Sequence, residues 1–237
     1  MIKVAYVVGT YPGPERQRRI DVALSYATAE VQVGIVDVEA TPYVHGLTPG
    51  DLALVAPLFM DAYKRAQAAG YDAVVPLGTL ELGVEGGRSV VDIPVIGPTQ
   101  ATLHVAAQVG DRFGMICYHQ RYFPIMRDIV RRYRMSDFVG GWRASDFDLP
   151  DLAANHDRLV ENFVSAARSL IKENGCDVII PMGISQCPVH MKPDWLMREL
   201  GVPVVEAIGS PILMAGIMAK MGLHPSRHRW PEQGKPR

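Results

Sequence analysis

Four side chains in this 237-residue chain, Glu81, His119, Cys187 and His190, are of types that move protons, and each follows an apolar run. Glu81 stands three residues after Gly78 and, partly desolvated, would serve as a general base. Cys187 and His190 share the segment "CPVH", a thiol and an imidazole three apart. His119 and Arg121 lie in "CYHQRYF" (117–123): an acid or base next to a guanidinium suited to a carboxylate. Such groups fit acid/base chemistry on a small carboxylate or imide. Metal chemistry fits less well, because Cys-x2-His supplies two ligands and no second cluster accompanies it. No cofactor motif stands out, and none is expected.

Each candidate has a plain structural alternative. Glu81 reads equally as a carboxylate at a helix start. Cys187 reads as a loop cysteine, and the 119–122 segment as surface decoration. Tyr11 follows the first apolar run and Tyr43 the second, with His45 close by. Ligands of open α/β sheets gather at such strand ends.

The elements that must position these groups announce themselves through a repeat. "DAVVPLG" (72–78) returns as "DVIIPMG" (177–183), 105 residues on. Downstream, "IPVIG" from Ile93 returns as "VPVVE" from Val202, 109 residues on. The match spans two strands and the segment between them, so we read two similar subdomains. Both phrases end in glycine, where consecutive backbone N–H groups can cradle an anion. Gly78 with Thr79, and Gly183 with Ile184 and Ser185, are the expected cradles.

Short apolar strand signals fall at 3–8, 31–38, 73–77, 93–97, 113–118, 138–144, 178–182 and 202–207. Helical spacing fills 49–70, 98–110, 122–135, 151–175, 192–201 and 210–222. Alternating elements with fully apolar strands predict an α/β fold with parallel sheets. The expected partition is 1–97 plus 208–237 for lobe one and 98–207 for lobe two.

Bulk properties exclude other classes. A formal charge of −1 gives no footprint for nucleic acid. The basic runs at 16–19 and 131–134 read as solvated faces. No apolar run reaches membrane-spanning length. Three cysteines, Cys117, Cys176 and Cys187, with no CxxC, fit a reduced cytoplasm. A cytoplasmic homo-oligomer is expected, and the polar tail (224–237) reads as a loose terminus or interface arm.

Residues 69–117, 122–133 and 170–222 resemble the aspartate/glutamate/hydantoin racemase superfamily, the hydantoin racemase branch most closely. The likeness implies two Rossmann-like lobes with an interlobe active-site cleft. It implies one catalytic cysteine from each lobe, acting on opposite faces of a substrate carbon without a cofactor. The expected positions are Gly78 and Gly183, so both thiols are missing. Counted backward from "GVPV" (201–204), Cys187 falls close to the second position. The resemblance also implies that the 119–122 loop, with Arg121 and Tyr122, contacts the substrate carboxylate. One lobe ending in Gly-Thr is similar to the arylmalonate decarboxylases, although Leu80 and Glu81 replace their small hydroxyl run. A lyase, decarboxylase or tautomerase reaction through an enolate is therefore expected. A racemase with bases other than cysteine and a non-catalytic binding protein are the alternatives.

Overall fold

The computed structural model describes residues 1–11, 13–39, 48–147 and 154–234. The chain divides into two compact units. The first comprises Met1–Pro98 and Pro211–Arg237, the second Thr99–Ser210.

Unit one holds β1 (Ile2–Val8), α1 (Gly13–Leu24), β2 (Val31–Asp37), α2 (Pro49–Ala68), β3 (Ala73–Pro76) and α3 (Val84–Val90). Its parallel sheet has the order β2-β1-β3. A single parallel bridge, Val74 to Val95, extends it by the "IPVIG" segment. Pro98 opens α4 (Pro98–Ala106), most of which belongs to unit two.

Unit two continues with β4 (Phe113–Cys117), α5 (Phe123–Arg132), β5 (Val139–Ala144), α6 (His156–Asn174), β6 (Val178–Pro181) and α7 (Pro193–Leu200). Its sheet runs β5-β4-β6, again parallel, with one bridge from Ile179 to Val204. The last helix is α8 (Gly209–Lys220). β1, β3, β4 and β6 carry almost entirely buried side chains, as strands covered on both faces must. This is the α/β architecture with parallel sheets that the sequence predicts.

The repeated phrase has a structural meaning at its leading aspartate and at the residue before its closing glycine. Asp72 accepts the Lys3 N–H at 2.7 Å while its own N–H donates to the Lys3 carbonyl at 2.8 Å. Asp177 does the same at β4: its carboxylate accepts from Asp111 and Arg112, and its N–H donates to the Arg112 carbonyl. Each aspartate thus satisfies backbone groups at the start of the neighbouring strand. At the other end, Leu77 N–H donates to Val7 and Met182 N–H to Ile116, each extending the strand pairing.

Two elements differ from expectation. The basic run at 16–19 lies in α1, and Arg19 is 1% exposed rather than solvated. Its guanidinium stacks 4.2 Å from the Tyr11 ring centroid and pairs with Glu15 at 2.7 Å. α3 also forms where the glycines at 86 and 87 gave no helical signal. Gly87 leaves room for Tyr63, whose ring carbon is 2.7 Å from the place a Cβ would take.

Candidate functional site

In unit one the chemistry-bearing residues follow β3. Gly78 has φ +87°, a conformation open to glycine and strained for other residues. Nothing lies within 4 Å of the point where its Cβ would be. Thr79 and Glu81 are both buried. Glu81 itself has φ +58°, unusual for a residue with a long side chain. Its carboxyl carbon lies 2.9 Å from where a Gly97 Cβ would be, so glycine at 97 is what admits it.

Beneath this turn Tyr63 donates its hydroxyl proton to the Leu82 carbonyl. Burial, and then the Glu81 charge, pushes the Tyr63 phenol well above its usual range. Tyr63 is therefore a fixed donor that holds the 81–83 turn. Tyr11 is half-buried over Arg19 in the loop after β1. Tyr43 lies outside the described residues, as does His45.

In unit two the loops after β4 and β6 meet. The Ser185 N–H donates to the Tyr118 hydroxyl at 3.0 Å. The Tyr118 phenol oxygen is 2.7 Å from the point where a Gly183 Cβ would begin, and its ring carbons are closer still. Gly183 has no positive φ, so glycine is needed there for space and not for backbone freedom. Tyr122 meets Tyr118 edge to face at 6.4 Å, and Arg121 donates to the Tyr122 hydroxyl at 3.3 Å. His119 Nδ1 lies 3.7 Å from an Asp146 carboxylate oxygen. Tyr118, His119 and Tyr122 are half-buried, and Arg121 is exposed.

Residues 185–190 form a tight turn interrupted at Cys187, whose φ and ψ are extended. Ile184, Ser185, Gln186 and Cys187 are all buried. Cys187 belongs to the apolar core of this unit, with Ile179, Leu196 and Val204. Burial, followed by the Glu206 charge, raises its thiol well above the ordinary range. The Glu206 carboxylate accepts the N–H groups of Ile208 and Gly209 at 2.6 and 2.7 Å. Burial also raises Cys117, to about 12, and Cys176. His190 is half-buried. Its carbonyl lies 3.0 Å from His156 Nε2, and the two rings are 6.3 Å apart.

The structure thus groups Gly78, Thr79 and Glu81 in unit one. In unit two it groups Gly183 and Ser185 with the 118–122 loop. Cys187 lies in the buried apolar cluster against which Tyr118 packs, and His190 lies at the end of the 185–190 turn. A groove of about 490 Å³ between α6 and α7, lined by Val164, Arg168, Trp195 and Glu199 among others, lies on the helical flank. Among the described residues no group of three or more His, Cys, Asp or Glu is set to hold a metal ion. No described helix is long and apolar enough to cross a membrane.

Sequence reasoning missed two residues here. Tyr118 was absorbed into the strand signal at 113–118. Gln186 sits between two candidates, fully buried, with no hydrogen-bond partner for either amide atom among the described residues. A polar residue inside an otherwise apolar turn was its only sequence signal.

The two units are of the α/β class with parallel sheets, in which ligands collect outside the C-terminal ends of the strands. Residues 26–210 match the Asp/Glu/Hydantoin racemase family, and the chain belongs to that family. A hydantoin racemase of Rhizobium meliloti is 29% identical over 182 residues, covering 75% of this chain and 72% of that protein. An allantoin racemase from Klebsiella pneumoniae has a TM-score of 0.88 at 21% identity, over 100% of this chain and 95% of that one. Unliganded arylmalonate decarboxylase has a TM-score of 0.63 at 16% identity, over 94% of each chain. At these identities the two solved structures speak to the fold.

Proposed function

We propose that this protein is a cofactor-independent acid/base enzyme acting at a carbon beside a carbonyl, through an enolate-like intermediate. The substrate class is a small cyclic imide of the hydantoin or allantoin kind, or a small carboxylate. The names of its relatives support that class. The observation that carries the reaction type is the glycine at both 78 and 183, together with three cysteines buried and raised above their ordinary range. Thiolate chemistry needs an accessible thiol that ionises near working pH. A reaction using one acid/base face, of lyase, decarboxylase or tautomerase type, fits these residues better than exchange between two thiols.

In this reading the backbone after Gly78, and the N–H groups around Gly183 and Ser185, hold the developing oxyanion. Arg121 and Tyr122 bind a carboxylate. Glu81, His119 and His190 are the remaining groups that can move a proton. A racemase using such groups is the second reading, favoured by the hydantoin and allantoin racemases among its relatives and by the strained, buried Glu81.

Proton exchange in D2O tests both, with allantoin, 5-methylhydantoin and phenylmalonate as probes. Exchange or CO2 release without inversion is expected. Exchange with inversion selects the racemase. Binding of the probes with neither outcome sinks both enzyme readings and leaves a ligand-binding protein.

A further inference from the structure

This inference rests on the acid/base reading above and names a group that the sequence did not. The two glycines that end the repeated phrase have unlike surroundings. Around Gly78 the space a side chain would use is open. Around Gly183 that space is filled by the Tyr118 phenol, with its oxygen 2.7 Å from the position of the absent Cβ. The end of the Tyr118 ring, with its phenol oxygen, therefore fills the space into which a side chain at 183 would extend. Both residues lie at the C-terminal ends of adjacent parallel strands, where ligands of this architecture collect.

We propose that Tyr118 is the catalytic acid/base group of unit two. Three features suit it to the task. Its hydroxyl accepts the Ser185 N–H at 3.0 Å, a fixed dipole that stabilises negative charge on the oxygen once the proton leaves. Its ring is held from both sides, by Gly183 and by the edge of Tyr122. The residue is half-buried, whereas Cys187 is sealed in the core.

The step balances as follows. The enolate carries the electron pair left by a departing proton or by CO2. That pair takes the Tyr118 proton: the O–H bond breaks, the C–H bond forms, and a phenolate remains on the Ser185 N–H. After loss of CO2, the phenolate recovers a proton from water. In proton exchange the phenol first gives its proton to water; the phenolate then removes the substrate proton, the new O–H exchanges with solvent, and the phenol returns the solvent's isotope to the carbon. One group on one face gives exchange with retention.

Tyr118→Phe keeps the ring against Gly183 and removes only the hydroxyl. We expect kcat for exchange or CO2 release, on whichever of the three probes the wild type turns over, to fall about 10²–10⁴-fold, the usual worth of a general acid or base. KM and the melting temperature stay near wild type. Unchanged kcat, or a rise in KM alone, overturns the proposal, because the hydroxyl then only binds. A second pair guards against a folding defect. Folded Tyr118→Ala is expected to be inactive, and Tyr118→Ala with Gly183→Cys to regain activity that an alkylating reagent abolishes. A folded double variant as inactive as Tyr118→Ala overturns the proposal too. A wild type inert toward every probe overturns the acid/base reading itself, and this inference with it.

Discussion

Tyr118 and Gly183 share one space: the phenol oxygen of the first lies 2.7 Å from the point where the Cβ of the second would start. Because the φ of Gly183 is ordinary, a substitution there is opposed by space, and its nearest obstacle is the Tyr118 ring. Gly78 is the reverse case, with open space and φ +87°.

Gly78→Ala should therefore cost about 1–2 kcal/mol from backbone strain, whatever stands nearby. Gly183→Ala should cost more in the wild-type background and regain much of that loss beside Tyr118→Ala. Urea unfolding of the single and double variants measures the coupling. Additive effects at 118 and 183 would contradict the shared space.

Gln186 gives a prediction of opposite sign. Burying an amide without partners costs about 1–3 kcal/mol. Gln186→Met removes the polar atoms at similar volume, so it should raise the melting temperature. A lower melting temperature would show that an ordered water satisfies the amide.

The thiols set a pH dependence. Cys117 is raised from 9.0 to about 12, with burial as the main cause. Below the unfolded value both states keep the proton and stability is unaffected. As pH rises above about 9 the unfolded thiol ionises first and favours unfolding, by up to about 1.4 kcal/mol per pH unit, until the folded thiol also ionises. Cys176 and Cys187 shift in the same direction. Stability should thus fall between pH 9 and 12, less steeply in Cys117→Ala. All three thiols should also resist alkylation at pH 8 until denaturant is added; fast labelling of the native protein would refute their burial.

The two leading aspartates can be ranked. Among the described residues, the Asp177 carboxylate accepts the N–H groups of Asp111 and Arg112 at the start of β4, and the Asp72 carboxylate accepts that of Lys3 in β1. Hydrogen bonds to a charged group are worth about 1.5–3 kcal/mol when buried and less at an exposed site. Asp177→Ala should destabilise by roughly 1–2 kcal/mol, more than Asp72→Ala, as read by chemical unfolding.

Much of the frame was legible because its causes are local. Fully apolar runs from 73 and 178, punctuated by Asp and Gly, identify buried parallel strands, and helical spacing at 49–70 and 151–175 places α2 and α6 within a few residues. α1 was missed because a run of arginines mimics a solvated face; the Tyr11 ring over Arg19 and its pairing with Glu15 explain why one of them is inside. The segments from 93 and 202 were read as strands yet pair through single bridges at Val95 and Val204. As candidates for the site, residues just past strand ends were singled out by position: Glu81, Thr79, Ser185 and His119. Tyr118 was not, because its significance lies in a contact with a residue 65 positions away. Pairwise shape of that kind has no periodic trace in a sequence.

The crowding at Gly183 also constrains the order in which this chain can change. A side chain is free to appear at 78 at any time, subject to a strain penalty. At 183 none fits unless the Tyr118 ring first swings aside or position 118 becomes smaller. A mutational route that exchanges the phenol for a group borne on 183 must therefore displace the phenol before or as the new side chain arrives. The two units, built on one repeated phrase, therefore differ in how readily each can acquire new chemistry in a single step.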